Sequence, residues 1–196
     1  LNGLHLDYCC GGHEAISIAI REKGMDVEKF LAELNEVAAR PTTAKDAHAD
    51  IESFKDLKVT EMLDDLEATH HVTDRHLMAE TEDLLNKILI VHYPHHGEML
   101  TRLHHLYAGL KAELEEHFAK EEQLVFPLMR QHPHPDKETL DLVQQLEDEH
   151  TDAGDVIKEI QQLTNNFTPP KDACPTFRHT YATMEALFDA IFIHIF

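Results

Sequence analysis

The run ELEEHFAKEEQLVFP, residues 113–127, combines several acidic side chains with a single imidazole in a helix-forming segment. His117 has Glu113 one helical turn before it and Glu121 one turn after it, so a helix would place all three on one face. Imidazole and carboxylate groups on one face can bind a metal ion. The alternative is a solvated acidic face that carries an incidental histidine.

The spacing of His117 and Glu121 does not decide between these alternatives by itself. A histidine is followed four residues later by an acid six times, at 48, 70, 76, 117, 132 and 134, whereas 17 histidines and 37 acids in 196 residues would give about three by chance. The interpretation therefore depends on whether histidines from other segments meet His117.

Composition excludes several classes of partner. The net charge is −20 with neutral histidines, so we expect no nucleic-acid partner, because phosphate binding needs concentrated Lys and Arg. No apolar run approaches the ~20 residues of a membrane helix, so no membrane is expected. The chain shows no signal peptide and has only three cysteines, Cys9, Cys10 and Cys174, which leads us to expect a reducing, cytoplasmic location.

Two units and a linker are expected. Residues 1–40 predict a small N-terminal domain with helices over 13–23 and 27–40, where Gly24 ends the first helix and Asp26 caps the second. Residues 41–57 are polar, lack a steady period and indicate a linker. The second unit covers residues 58–196. The chain starts without methionine and stops inside an apolar pattern, so we expect both ends to be clipped.

The second unit contains four long amphipathic patterns, which favour an all-α protein built as an antiparallel up-down four-helix bundle. Pro94 and Gly97 indicate a turn between the first two helices. Pro127 predicts a kink or break in the second helix, and Asp136 is the predicted N-cap of the third. The predicted helices are 59–92, 97–131, 137–163 and 175 to the end.

Register arithmetic brings one histidine of each helix to a similar height. His71 lies 21 residues before the end of the first pattern, and His117 lies 20 residues after the start of the second. The same counting aligns His117 with His150. His194 is offset by six residues, about 9 Å, which the long loop before it can absorb. His92 shares a heptad track with His71 but lies about 31 Å away along a continuous helix, so it is placed near the first turn.

Several motifs, in order along nearly the whole chain, resemble the iron–sulfur cluster repair di-iron proteins (the RIC, YtfE/ScdA-type family), whose second part is hemerythrin-like. They are LDYCCGG near the start, THH at 69–71, HFAKEEQLVFP at 117–127, EDEH at 147–150, TNNFTPP at 164–170 and the histidine at 194.

The resemblance implies two non-haem iron ions, oxo- or hydroxo-bridged, as Fe²⁺ or Fe³⁺, and it places a second bridging glutamate at position 198, beyond this chain. The implied ligands are His71, His117, His150 and His194, with Glu121 as a bridging carboxylate. Imidazole and carboxylate ligands suit iron, whereas structural zinc more often takes thiolates.

Further residues receive roles beside this site. Glu113 and Glu149 match acidic positions next to the irons and are candidates for supporting the ligands or lining an iron path, with His92 as a weaker candidate. Cys9 and Cys10 match the paired cysteines of the family and could pass iron or electrons, or take up a nitrosyl group. Structural packing under Gly11 and Gly12 is the alternative for this pair. Cys174 is interpreted as structural.

The family suggests repair of iron–sulfur clusters damaged by oxidative or nitrosative stress, by supply of iron to damaged iron–sulfur proteins. Two alternatives stay open at this point. One is an enzyme activity, the reduction of nitric oxide at the di-iron centre. The other is hemerythrin-like sensing of dioxygen or redox state. Nitric oxide and dioxygen are the expected small ligands, and no expectation for the oligomeric state follows from the sequence.

Overall fold

The computed structural model describes residues 15–22, 24–38, 54, 56–131 and 136–195, and within these residues the regular structure is entirely helical. The prediction of an all-α protein is therefore confirmed. Cys9 and Cys10, and most of the predicted linker at 41–57, lie outside the described residues.

Two short helices come first, α1 (Ile16–Glu22) and α2 (Val27–Ala38). Gly24 has φ +69°, a left-handed conformation that suits glycine, and it follows the end of α1. The Lys29 backbone N–H donates to Asp26 Oδ1 at 2.9 Å, so the predicted N-cap of α2 is confirmed. Ile20 and Phe30 pack into a small core of their own.

The first predicted long helix, 59–92, is interrupted. It consists of α3 (Val59–Asp65), a π-helical turn (Leu66–His70), and then the start of α4 (His71–Lys120). The sequence pattern did not predict this turn. A π-helical turn in a long helix is frequently found at a functional site.

Helix α4 reverses direction near its middle, at His96, whose φ of −130° and ψ of 16° are non-helical. The two halves pair in an antiparallel register: Arg75 Nε donates to Glu115 at 2.9 Å, and the Tyr107 hydroxyl donates to the Met78 carbonyl at 2.7 Å. The reversal falls inside the predicted HYPHHG link. A Cβ atom at position 97 would lie 3.2 Å from the ring of the exposed Tyr93, so a larger residue there requires a small shift of that ring.

A second π-helical turn (Glu121–Val125) follows α4 and leads into α5 (Phe126–Gln131). The predicted break near Pro127 is therefore placed a few residues earlier, in the turn before the proline. This position has a physical reason, since a proline removes an N–H and crowds the carbonyl four residues before it.

The last two helices are α6 (Lys137–Leu163) and α7 (Pro175–Ile195). The Thr139 backbone N–H donates to Asp136 Oδ1 at 2.9 Å, which confirms the predicted N-cap of α6. The connection to α7 contains three consecutive residues with positive φ, Asn165, Asn166 and Phe167.

One apolar core joins α4, α6 and α7. Its fully buried members include Met78, Leu103, Ile157, Phe177 and Phe188, and its partly buried neighbours include Cys174. None of the helices in the described residues is both long and apolar enough to pass through a lipid bilayer.

Candidate metal centre

Four histidines and one glutamate converge between α4, α6 and α7. They form two groups that share Glu121, and within each group the potential ligand atoms lie within 4.8 Å of one another. The buried triple consists of His71, Glu121 and His194. The cavity-side triple consists of His117, Glu121 and His150.

The two carboxylate oxygens of Glu121 face different triples. Glu121 Oε2 lies 3.0 Å from His71 Nε2 and 3.7 Å from His194 Nε2, while Oε1 lies 3.5 Å from His117 Nε2. His117 Nε2 and His150 Nε2 are 2.9 Å apart, so at most one proton lies between them. A carboxylate with one oxygen toward each triple has the arrangement of a bridge between two metal ions.

Three of the histidines direct Nε2 into the site because a carboxylate accepts a hydrogen bond from Nδ1. The Nδ1–H groups of His71, His117 and His194 donate to Glu122 at 2.7 Å, Glu149 at 3.0 Å and Asp74 at 3.0 Å, respectively. Metal-bound histidines usually show this second hydrogen bond, which fixes the tautomer and the ring orientation.

One buried nitrogen atom without a hydrogen-bond partner indicates that these residues fit a metal ion. His194 Nε2 is buried and makes no hydrogen bond in the described part of the chain, since its 3.7 Å separation from Glu121 is too long for one. A buried nitrogen without a partner is costly, and a metal ion between it and Glu121 would satisfy it.

Aromatic rings close the inner side of the site. The Phe118 ring stacks on His71 with centroids 4.5 Å apart and on His194 at 5.2 Å, and Phe126 lies 5.9 Å from His71. Phe118 is 1% exposed. These contacts hold two imidazoles in place and shield His71, which is 0% exposed, from solvent.

The charge state of the site follows from these contacts. Burial alone would raise the pKa of the Glu121 carboxyl, but the imidazoles of His117, His194 and His71 hold it well below its ordinary value. Burial and the neighbouring His117 lower the pKa of His150 to about 4. Burial opposes protonation of His194, yet Asp74 and Glu121 raise its pKa to about 9. Glu121 is therefore an anion and His150 a neutral imidazole at neutral pH.

A cavity of about 220 Å³ opens from the cavity-side triple. Its wall contains His117, His150 and His194, and it carries acidic side chains that could receive a cation, namely Glu113, Glu116, Glu149 and Asp152. The two triples are therefore unequal in access, since the cavity-side triple contributes both of its histidines to the wall and the buried triple contributes only His194.

The remaining residues singled out in the sequence lie in different places. Glu149 contacts His117 directly, and Glu113 is an exposed residue at the cavity wall. His92 is not brought to this site: its Nε2 lies 3.2 Å from Cys174 Sγ and its ring packs edge-on against Phe177. The weak expectation that His92 supports the ligands is thus not met, because 21 residues of helix separate it from His71.

Sequence reasoning missed two of the three carboxylates that orient histidines, Asp74 and Glu122. Asp74 follows His71 by three residues and Glu122 follows Glu121 directly, but such spacings are common in this acidic chain and do not single out either residue. The π-helical turns were missed as well, and they flank the site: one ends just before His71 and the other begins at Glu121.

Comparisons with known proteins agree with this geometry. The family model for the hemerythrin HHE cation binding domain matches residues 61–196, and the model for ScdA_N, a domain of unknown function (DUF542), matches residues 1–38. Three similar relatives each have the name iron–sulfur cluster repair protein YtfE. The protein from Escherichia coli O8 is 31% identical over 192 residues, which covers 97% of this chain and 81% of the relative. Those from Citrobacter koseri and Shigella boydii are 30% identical, with 97% of this chain covered and 81% and 82% of the relatives.

Proposed function

Because this chain belongs to the hemerythrin HHE cation-binding family and to the YtfE family of iron–sulfur cluster repair proteins, we propose that it repairs damaged iron–sulfur clusters by supplying iron. The observation that carries this proposal is the sharing of Glu121 between two triples of potential ligands. A site with one bridging carboxylate and two histidines on each side suits a pair of iron ions.

The proposed architecture has two units. Residues 1–40 form a small N-terminal domain, residues 41–57 a linker, and residues 58–196 an antiparallel four-helix bundle whose long rods are the two halves of α4, α6 and α7. The antiparallel register of the two α4 halves supports this arrangement. Bundles of this kind commonly bind two metal ions with inward-facing Glu and His side chains.

The proposed centre is a pair of non-haem irons, bridged by oxo or hydroxo and by Glu121. His71 and His194 would hold one ion, and His117 and His150 the other. When bound, the irons supply redox chemistry and open positions for small ligands such as nitric oxide or dioxygen. The chain's own residues orient the imidazoles, exclude water on the Phe118 side and supply negative charge.

Iron as cargo would leave through the cavity beside the cavity-side triple. Glu149 contacts His117 and is itself at the cavity wall, and Glu113 lies further along that wall. Carboxylates at successive positions along the wall can receive a departing cation and pass it toward solvent. A role of the Cys9 and Cys10 thiols in iron, electron or nitrosyl transfer stays a prediction. A cytoplasmic location also stays a prediction.

Anaerobic transfer from the iron-loaded protein to a cluster-depleted iron–sulfur protein tests the proposal. We expect recovery of the client's cluster absorbance together with loss of iron from the donor. His117→Gln removes one ligand of the cavity-side triple and should abolish transfer, whereas His105→Gln, an exposed histidine of α4, should leave it unchanged. Recovery of the client at the same rate with free ferrous iron alone would contradict donation by this protein. Formation of nitrous oxide from nitric oxide in place of iron transfer would favour the enzymatic alternative.

A further inference from the structure

Asp74 is a buried carboxylate with an unusual set of contacts. It lies on α4 one turn after His71 and is 0% exposed. Its Oδ2 accepts a hydrogen bond from His194 Nδ1 at 3.0 Å. Its other oxygen, Oδ1, is buried without a hydrogen-bond partner among the described residues. A buried carboxylate that is only half satisfied is costly.

The stability of the fold does not explain this carboxylate. A buried ion pair contributes less to stability than an apolar pair of the same size in many proteins, because both charges lose their hydration. The buried position of Asp74 therefore needs another explanation, and its hydrogen bond with His194 supplies one. His194 is the histidine whose Nε2 is buried without a hydrogen bond and faces Glu121.

The two other carboxylates that accept a hydrogen bond from Nδ1 of a histidine in the triples differ from Asp74. Glu122 is 17% exposed and also pairs with Arg75 at 2.6 Å, and Glu149 is 33% exposed and pairs with Lys120 at 2.6 Å. Their charges are neutralised by neighbouring cations and screened by solvent. Asp74 is 1% exposed at its side chain, and its ion-pair partner is His194.

We propose that Asp74 is a positioning residue for metal binding, which holds His194 with Nδ1 protonated and Nε2 directed at the ion and thereby makes the buried triple the tighter of two metal sites. The inference rests on the proposed two-metal function. It assigns the two triples different tasks, because an ion beside the fully buried His71 and the unscreened Asp74–His194 pair is held more tightly than an ion in the cavity-side triple.

Substitutions of Asp74 separate its charge from its geometry. Asp74→Asn keeps an oxygen that accepts the Nδ1–H bond but removes the charge, whereas Asp74→Ala removes both. Asp83→Ala is the matched control, because Asp83 is an exposed aspartate on the same helix. The probes are Co²⁺ and Zn²⁺, titrated into the metal-free full chain, with the ring nitrogen signals of His194 recorded by NMR and assigned with His194→Gln.

Asp74→Ala should weaken the tighter of the two ion affinities by about 10- to 100-fold and leave the weaker one nearly unchanged. In its Zn²⁺-loaded form the His194 Nδ1–H signal should exchange faster with water, because the proton no longer donates to a carboxylate. Asp74→Asn should retain a slowly exchanging Nδ1–H and weaken the tighter affinity by a smaller factor, at least about threefold. Asp83→Ala should match the unsubstituted chain in both measurements.

Unchanged affinities in Asp74→Asn and Asp74→Ala would overturn the inference, as would a loss confined to the weaker site. If Asp74→Ala does not fold, the Asp74→Asn titration decides the matter alone. Failure of the proposed function looks different, because the unsubstituted chain would then bind fewer than two ions. An unsubstituted chain that binds two ions, beside Asp74 variants that bind them equally well, refutes the positioning role only.

Discussion

Replacement of Glu121 by glutamine tests whether one carboxylate is shared by two metal ions. In the structure Oε2 faces His71 and Oε1 faces His117, at 3.0 and 3.5 Å. Glutamine has the same shape, but it replaces one of these oxygens with an NH₂ group that cannot bind a cation. One triple therefore loses its shared donor, and the other keeps only an uncharged oxygen. We expect Glu121→Gln to bind at most one ion, where the unsubstituted chain binds two.

The size of the effect on thermal stability follows from linkage. At a free-ion concentration 100 times the dissociation constant, each ion stabilises the fold by about 2.7 kcal/mol. A chain of this length gains roughly 2–4 °C in Tm per kcal/mol, so one ion should raise Tm by about 5–10 °C and two ions by about 10–20 °C. The increment for Glu121→Gln should be no more than about 5–10 °C.

Calorimetry with and without Co²⁺ under anaerobic conditions measures this increment, and metal analysis of the same samples gives the number of ions. Each variant is compared with its own metal-free form, so a change in intrinsic stability cancels. Glu98→Gln, an exposed glutamate of α4, is the control and should behave as the unsubstituted chain does. His150→Gln should lose the cavity-side ion alone. Two ions and a full increment in Glu121→Gln would refute the shared carboxylate.

Three further predictions concern packing, capping and protonation. Phe118→Ala should lower the free energy of unfolding of the metal-free chain by about 3–5 kcal/mol in a urea titration, since it removes a buried ring, whereas exposed Val72→Ala should cost less than about 0.5 kcal/mol. Asp136→Ala should cost about 1 kcal/mol in the same titration through loss of the α6 cap. Because the pKa of His194 is raised to about 9 and that of His150 is lowered to about 4, protons compete with the ion at His194 but not at His150 in neutral solution. Co²⁺ affinity of the buried triple should therefore rise about tenfold per pH unit from 7 to 9 and then level off, and a pH-independent affinity of that triple would contradict this reasoning.

The sequence was sufficient to find the helices and to suggest which histidines meet. The reversal of α4 at His96 lies within the predicted link, so counting residues from that link places His71 opposite His117 and Glu121. His194 was six residues out of register by the same counting. The structure brings its ring to 4.9 Å from that of His71, with a connection before α7 that includes three residues of positive φ. Such backbone conformations at asparagine and phenylalanine are not visible as an apolar pattern.

Contacts that orient the histidines could not be predicted in the same way. The chain has 37 acidic residues, and many follow a histidine at helical spacing, so spacing does not single out Asp74 or Glu122. Which carboxylate reaches a given Nδ1 depends on how two helices pack across the site. Asp74 follows His71 on α4 but contacts His194 on α7, at 3.0 Å. His92 was placed near the first turn by its distance of about 31 Å from His71 along the helix, and the structure has its Nε2 beside Cys174.

The second π-helical turn accounts for the way His71 is bound. Glu121 Oε2 lies 3.0 Å from its Nε2, and Glu122 Oε1 lies 2.7 Å from its Nδ1. Two consecutive residues thus contact opposite edges of one imidazole, although adjacent residues of a regular α-helix do not face the same side. Both glutamates lie in the turn Glu121–Val125, and the facing helix has its own π-helical turn immediately before His71. Each turn departs from the regular α-helical hydrogen-bond pattern, and such turns are frequently found at functional sites. Their position on both sides of this contact indicates that the local helix geometry is adapted to bring Glu121 and Glu122 to the same ring.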